Sequence, residues 1–169
     1  MYHKVMVPLD GSDLAECVLP HVKEFIKSSL AKNVVFVRVV EPLPLLAYGE
    51  LAETFPLSAY GESYKDRLDH WQNVEEERRF AAEEYLKKAI SFLNEYGERV
   101  QYEVLIGNIA QTLADYAEDN NVDLTMIATH GRSGVSRWIM GSVADRILRS
   151  SSGPVLMVRA PASKSMTQE

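Results

Sequence analysis

Residues 34 to 40 read Val-Val-Phe-Val-Arg-Val-Val, β-branched or aromatic at every position except Arg38. A strand apolar on both faces must be covered on both, which is the situation of a central strand in a parallel sheet flanked by helices. This one segment therefore points to an α/β fold with helices on both faces of its sheet. Pro42 ends it.

The remaining chain alternates in the same sense. Val5 to Leu9 reads as a buried strand, followed by Ala15, Val18, Leu19, Val22, Phe25 and Ile26 at helical spacing. Asp13 and Glu16 have the spacing of a capping box, and Pro20 is expected to disturb the helix that contains it. Residues 41–70 carry prolines, tyrosines and glycines without a sustained period, and read as an insertion or flap. Val74 to Tyr96 predicts a long charged helix with Phe80, Ala81, Tyr85, Leu86, Ala89, Ile90 and Leu93 as its apolar stripe, stopped at Gly97. Tyr102 to Ile106 predicts a third strand, Gly107 a turn, and Ile109 to Asn120 a helix with Ile109, Leu113, Tyr116 and Ala117 inward. Leu124 to Ala128, Val143 to Ser150 and Pro154 to Arg159 complete the set as strand, helix and strand. Five strands joined by helical crossovers make a doubly wound α/β sheet over residues 1–160, with 161–169 a small polar tail expected to be disordered. In such a sheet ligands sit at the carboxyl ends of strands where the strand order reverses, which points to the ends of the first and fourth strands.

Composition narrows the function classes. The chain has 169 residues and a net charge of −6, and so lacks the basic excess that general nucleic-acid or membrane-surface binding requires. Neither a signal peptide nor a membrane span is visible, and the single Cys17 has no disulfide partner; a cytoplasmic location is the expectation.

Candidate chemistry concentrates after the fourth strand. Thr129-His130-Gly131-Arg132-Ser133-Gly134 leads through Met140 to Gly141-Ser142-Val143-Ala144-Asp145 at a helix start. Glycines permit close backbone approach, and the first N–H groups of a helix are unpaired, so a strand, a glycine-bearing loop and a helix start make a cradle for phosphate. Ser142 is an N-cap candidate whose hydroxyl can serve its helix or a phosphate oxygen. Arg132 is placed to pair with a terminal phosphate. Asp10, beside Gly11 at the end of the first strand, can bind a ribose hydroxyl or hold Mg²⁺ with the phosphates. His130 has no visible Ser, Cys or second His partner, which argues against acid-base work.

These segments resemble the universal stress protein family. Its nucleotide-binding members carry Gly-x-x-Gly, nine residues, then Gly-Ser or Gly-Thr. The match here is Ala128-x-x-Gly131, Arg132 to Met140, then Gly141-Ser142, supported by Val7-Pro8-Leu9-Asp10 at the start and Pro154 to Val158 at the end. The first motif glycine is Ala128. The resemblance implies a flavodoxin-like fold with strand order 3-2-1-4-5 and ATP as ligand, with Mg²⁺ or Mn²⁺ as candidate companion cations. It implies that Asp10 and the backbone of Pro8 and Val39 face adenine and ribose, and that Ala128, Gly131, Gly141, Ser142 and the Val143 N–H surround the phosphates. It also implies a homodimer through Val155 to Val158, a short apolar strand whose uncovered edge invites pairing.

Three functions compete. The first is a stress-response regulator that binds an adenine nucleotide with slow or no hydrolysis. The second is a dimeric signalling or interaction module that does not bind ATP, motivated by Ala128 and the insertion. The third, a slow ATPase or phosphotransferase using Asp10, His130 or Arg132, lacks a recognisable general base. The chain has neither Gly-x-x-x-x-Gly-Lys-Ser/Thr nor a strand followed by Gly-x-Gly-x-x-Gly, and no paired His/Cys spacing for zinc.

Overall fold

The computed structural model describes the backbone of residues 1–42, 64–129, 142–150 and 153–160, and the side chains of these except 64–71, 142, 143 and 150. The elements in chain order are β1 (Tyr2–Pro8), α1 (Asp13–Glu16), α2 (Leu19–Lys27), β2 (Ala31–Val40), α3 (Tyr64–Ile90), a 3-10 segment (Ser91–Arg99), β3 (Val100–Ile106), α4 (Ile109–Asp119), β4 (Leu124–Thr129), α5 (Ser142–Ser150) and β5 (Val155–Arg159). All strand pairs are parallel and the sheet order is β3-β2-β1-β4-β5. The doubly wound expectation holds, including the reversal between β1 and β4. Most of the insertion, residues 43–63, and the tail 161–169 lie outside the described residues.

The sheet separates two apolar layers because strand side chains alternate between faces. Val34 and Phe36 of β2 join Val5 and Val7 of β1, the α2 residues Val22 and Ile26, and Leu86, Ile90 and Leu93 on one side. Val35 and Val37 join Met6, Ile127, Leu113, Tyr116, Ala144 and Ile147 on the other. Phe36 is fully buried, as a two-sided central strand demands.

The expected disturbance at Pro20 is a break: the helical pattern is interrupted at Cys17 and Val18, and Pro20 falls in the first turn of α2, where its missing N–H has no intrahelical acceptor to lose. Two local expectations are corrected. The cap of α1 is Ser12, whose Oγ accepts from the Ala15 N–H at 3.1 Å, so Asp13 and Glu16 are first-turn acids and not a capping box. In α3 the buried seam runs through Ala82, Leu86 and Ile90, while Phe80 is 64% exposed and Ala81 is also exposed. Four-residue spacing from Leu86 selects Ala82, and Phe80, two residues before it and so about 200° round the helix, falls on the outer face.

The helix gives way to 3-10 turns after Ile90, and the reversal into β3 occurs at Gly97, with φ 56° and ψ −134°. Arg99 anchors the junction. Its Nη2 donates to the carbonyls of Ile26 and Ala31, and its Nε donates to that of Lys32.

Candidate functional site

The seam between β1 and β4 is closed at one end and open at the other. Only Val5 with Leu124 and Met6 with Thr125 are aligned across it, whereas β1 stays aligned with β2 as far as Pro8 and Val37. Backbone direction explains the difference. The Asp123 N–H donates to the Lys4 carbonyl, so the polar groups of Lys4, and by alternation those of Met6 and Pro8, face β4. Pro8 has no N–H to offer, and the ladder stops. Facing β2 instead, the Leu9 N–H still donates to the Val37 carbonyl at 2.9 Å.

A cavity of about 280 Å³ occupies the open end, near the lower bound of small-molecule sites at about 300 Å³. Its lining comprises Pro8, Leu9 and Asp10 after β1, Leu14 and Ala15 of α1, Val37 and Val39 of β2, Ile109 and Leu113 of α4, Ile127, Ala128 and Thr129 of β4, and Ala144 of α5. The walls are largely aliphatic, so they suit an apolar group. Asp10 is the one ionisable side chain among them. It is exposed, and its Oδ1 accepts from the Ser12 N–H at 2.9 Å and from the Ser12 Oγ at 2.6 Å. Ser12 Oγ in turn caps α1, making the turn a hydrogen-bonded unit in which the other carboxylate oxygen of Asp10 accepts no hydrogen bond among the described residues.

Of the residues expected at a site, the structure gathers Pro8, Asp10, Val39 and Ala128 around this cavity. Ser142 and Val143 form the first turn of α5, and Ala144 directly after them reaches the lining. His130, Gly131, Arg132 and Gly141 lie outside the described residues, as do Trp138 and Met140. Ala128 sits in β4, aligned with Val158. It is not among the non-glycine residues with positive φ, so its backbone makes no demand that only glycine meets. The sequence reading missed Leu14, Ile109, Leu113 and Ile127 as wall residues. Their signal was position: each lies at or near a strand's carboxyl end or in the helix that follows one.

No group of three or more His, Cys, Asp and Glu side chains among the described residues could hold a metal ion. A divalent cation here would draw one oxygen from Asp10 and the rest from a ligand's phosphates and water, the manner in which Mg²⁺ is usually held. Among the described residues no helix is long and apolar enough to cross a membrane.

The family model described as the universal stress protein family matches residues 1–159. Universal stress protein MJ0531 of Methanocaldococcus jannaschii is 29% identical over 161 residues, covering 95% of this chain and 84% of its own. Among solved structures, that of MJ0577 superposes with a TM-score of 0.70 at 24% identity, covering 96% of this chain and 99% of the other. A universal stress protein in complex with cAMP gives 0.58 at 19% identity, covering 93% and 96%. A family match over nearly the full length, on a sheet of order 3-2-1-4-5 that opens beside Pro8, leaves one assignment: the chain belongs to the universal stress protein family.

Proposed function

We propose that this chain is a stress-response regulatory protein that binds an adenine nucleotide, with ATP as the favoured ligand and hydrolysis slow or absent. The observation that carries the reading is the position of α5: its third residue, Ala144, lines the same cavity as Asp10 and Val39. The unpaired N–H groups of the helix's first turn therefore stand beside an aliphatic slot. The base and ribose occupy the slot, with Asp10 toward a ribose hydroxyl and the backbone of Pro8 and Val39 along the base. The phosphates extend toward Ser142 and Val143 and the loop bearing Gly131, Arg132 and Gly141. Mg²⁺ or Mn²⁺ joins through the phosphates and Asp10. That a related fold is described in complex with cAMP supports the ligand class.

The competing reading, a module that does not bind ATP, rested on Ala128 and the insertion at residues 41–70, most of which lies outside the described residues. Because Ala128 holds an ordinary strand conformation, its methyl takes up space in the wall without straining the backbone. The same proposal includes a homodimer through β5, which pairs only with β4 in the described sheet and presents Leu156 at 36% exposure.

Isothermal titration of nucleotide-free protein with ATP and Mg²⁺ tests the reading. Binding heat is expected together with a rise in melting temperature, because a ligand selective for the folded state must stabilise it. Neither heat nor a melting shift at millimolar ATP would overturn it.

A further inference from the structure

Behind the Asp10 turn, three elements meet at a cation that the nucleotide reading does not use. Gly11 has φ +92°, and a Cβ there would come within 3.1 Å of both Nη1 and Nη2 of Arg38. The left-handed backbone at Gly11 favours glycine, and a side chain there would crowd the guanidinium. The same guanidinium lies over the ring of Tyr85, its Cζ 4.7 Å from the ring centroid. Tyr85 comes from α3, so a side chain of β2 is held between the turn after β1 and a helix on the flank of the sheet.

Arg38 makes no ion pair among the described residues. Its charge is nonetheless matched locally. Tyr85 Oη is enclosed beside Glu16 without a well-aligned hydrogen bond among the described residues, and burial raises its pKa well above the usual phenol value. Glu16 and then Asp10 push it further up, and Arg38 opposes them. The two carboxylates and the guanidinium thus share one electrostatic neighbourhood without fixed pairing.

The backbone shows why such a support is needed. Past the bond from the Leu9 N–H to the Val37 carbonyl, the turn makes no further described backbone bond to the sheet, and the bonds of Asp10 Oδ1 go to Ser12 within the turn. Among the described residues, the turn is tied internally and the Leu9 bond is its last backbone tie to the sheet.

We infer that Arg38 is a positioning residue that clamps the Asp10-Gly11-Ser12 turn onto β2, using the Tyr85 ring as its platform, so that Asp10 is presented to the cavity at a fixed place. A planar guanidinium can stack on the Tyr85 ring while its two Nη atoms lie beside Gly11, in the space a side chain would need; a compact ammonium cannot cover both places. The ligand-facing part of this inference rests on the proposed nucleotide site.

Amide hydrogen exchange without nucleotide and ATP titration together test it in Arg38→Ala, Arg38→Lys, Tyr85→Leu and Tyr85→Phe. The Ser12 and Ala15 amides are expected to exchange about tenfold faster in the first three variants and at the native rate in Tyr85→Phe, while amides in α2 and β3 are unchanged. ATP affinity is expected to fall about tenfold in Arg38→Ala, without rescue by Arg38→Lys, and to fall no further when Arg38→Ala is added to Asp10→Asn, the non-additivity of groups acting through one another. Native exchange at Ser12 and Ala15 in Arg38→Ala, full rescue by lysine, or additive losses in the double variant would each overturn the inference. If the native protein binds no adenine nucleotide, the functional proposal falls, and the exchange rates still decide whether Arg38 holds the turn.

Discussion

Lys4 and Asp123 exchange hydrogen bonds: the Lys4 N–H donates to Asp123 Oδ1 at 3.0 Å, and the Asp123 N–H donates to the Lys4 carbonyl at 3.0 Å. The second carboxylate oxygen accepts from the His3 N–H at 2.7 Å. One side chain therefore closes the end of the β1–β4 seam opposite the cavity. Asp123→Ala is expected to cost about 2 kcal/mol, the range for hydrogen bonds to a charged acceptor. Urea unfolding should show a lower midpoint with an unchanged slope, and faster amide exchange at His3 and Lys4 but not at Leu9.

Pro8 terminates the seam at the other end, and restoring the missing donor tests that role. Pro8→Ala is expected to let β1 and β4 align further, narrowing the cavity and weakening ATP binding about tenfold while stability changes by no more than about 1 kcal/mol. Titration and a protected amide at position 8 are the readouts. Unaltered affinity together with a protected amide would show that the gap and the ligand site are unrelated.

Two phenols, Tyr116 buried and Tyr85 partly buried, are expected to weaken stability at high pH. Tyr116 donates to Glu103 Oε1 at 2.7 Å, and its pKa is raised by burial first and by Glu103 second. Tyr85 is raised by burial and by Glu16. A phenol whose folded pKa exceeds its unfolded value of about 10 keeps a proton that the unfolded chain releases, so its contribution is whole below about pH 10 and is lost as pH rises beyond. Urea midpoints between pH 8 and 11 should be flat and then fall. Tyr116→Phe should soften the decline, and phenolate absorbance should show at least two of the eight tyrosines titrating only with unfolding.

Phe36 and Phe80 separate burial from mere apolarity. Phe36→Ala is expected to cost about 3–5 kcal/mol, the usual loss for a buried phenylalanine. Phe80→Ala is expected to stay within about 0.5 kcal/mol. Thermal or chemical denaturation of the pair measures both.

These two residues also mark what the amino-acid order made legible. The two-sided run at Val34 to Val40 sufficed for a parallel sheet with both faces covered, and the strand order followed from the family resemblance and was found. Phe80 was misplaced because apolar residues at 80, 81, 85 and 86 allow two adjacent stripes, and only docking against the sheet chooses between them. Ser12 was overlooked as a cap because Asp13 and Glu16 offer the same side-chain chemistry one residue later. At the site, Pro8, Asp10, Val39 and Ala128 were readable from motif positions. The Arg38 contact with Gly11 and Tyr85 was not, since it joins three segments that are distant in the chain and carry no shared spacing.

The homodimer proposal has its own test at the sheet edge. Leu156→Lys places a charge on β5 where an apolar side chain is 36% exposed, and is expected to shift the protein to a monomer in light scattering at micromolar concentration without altering the melting of the isolated fold by more than a few degrees. A native protein already monomeric under those conditions would remove the proposal.

The absence of one hydrogen atom on Pro8 has an energetic corollary. Because the gap beside it is built into the covalent chain, it exists without any ligand, and entry of the proposed nucleotide would break no β1–β4 bond among the described residues. Shape selection is then largely completed by folding, and the free energy of encounter is not diminished by prising strands apart, the general advantage of a host that is ready beforehand.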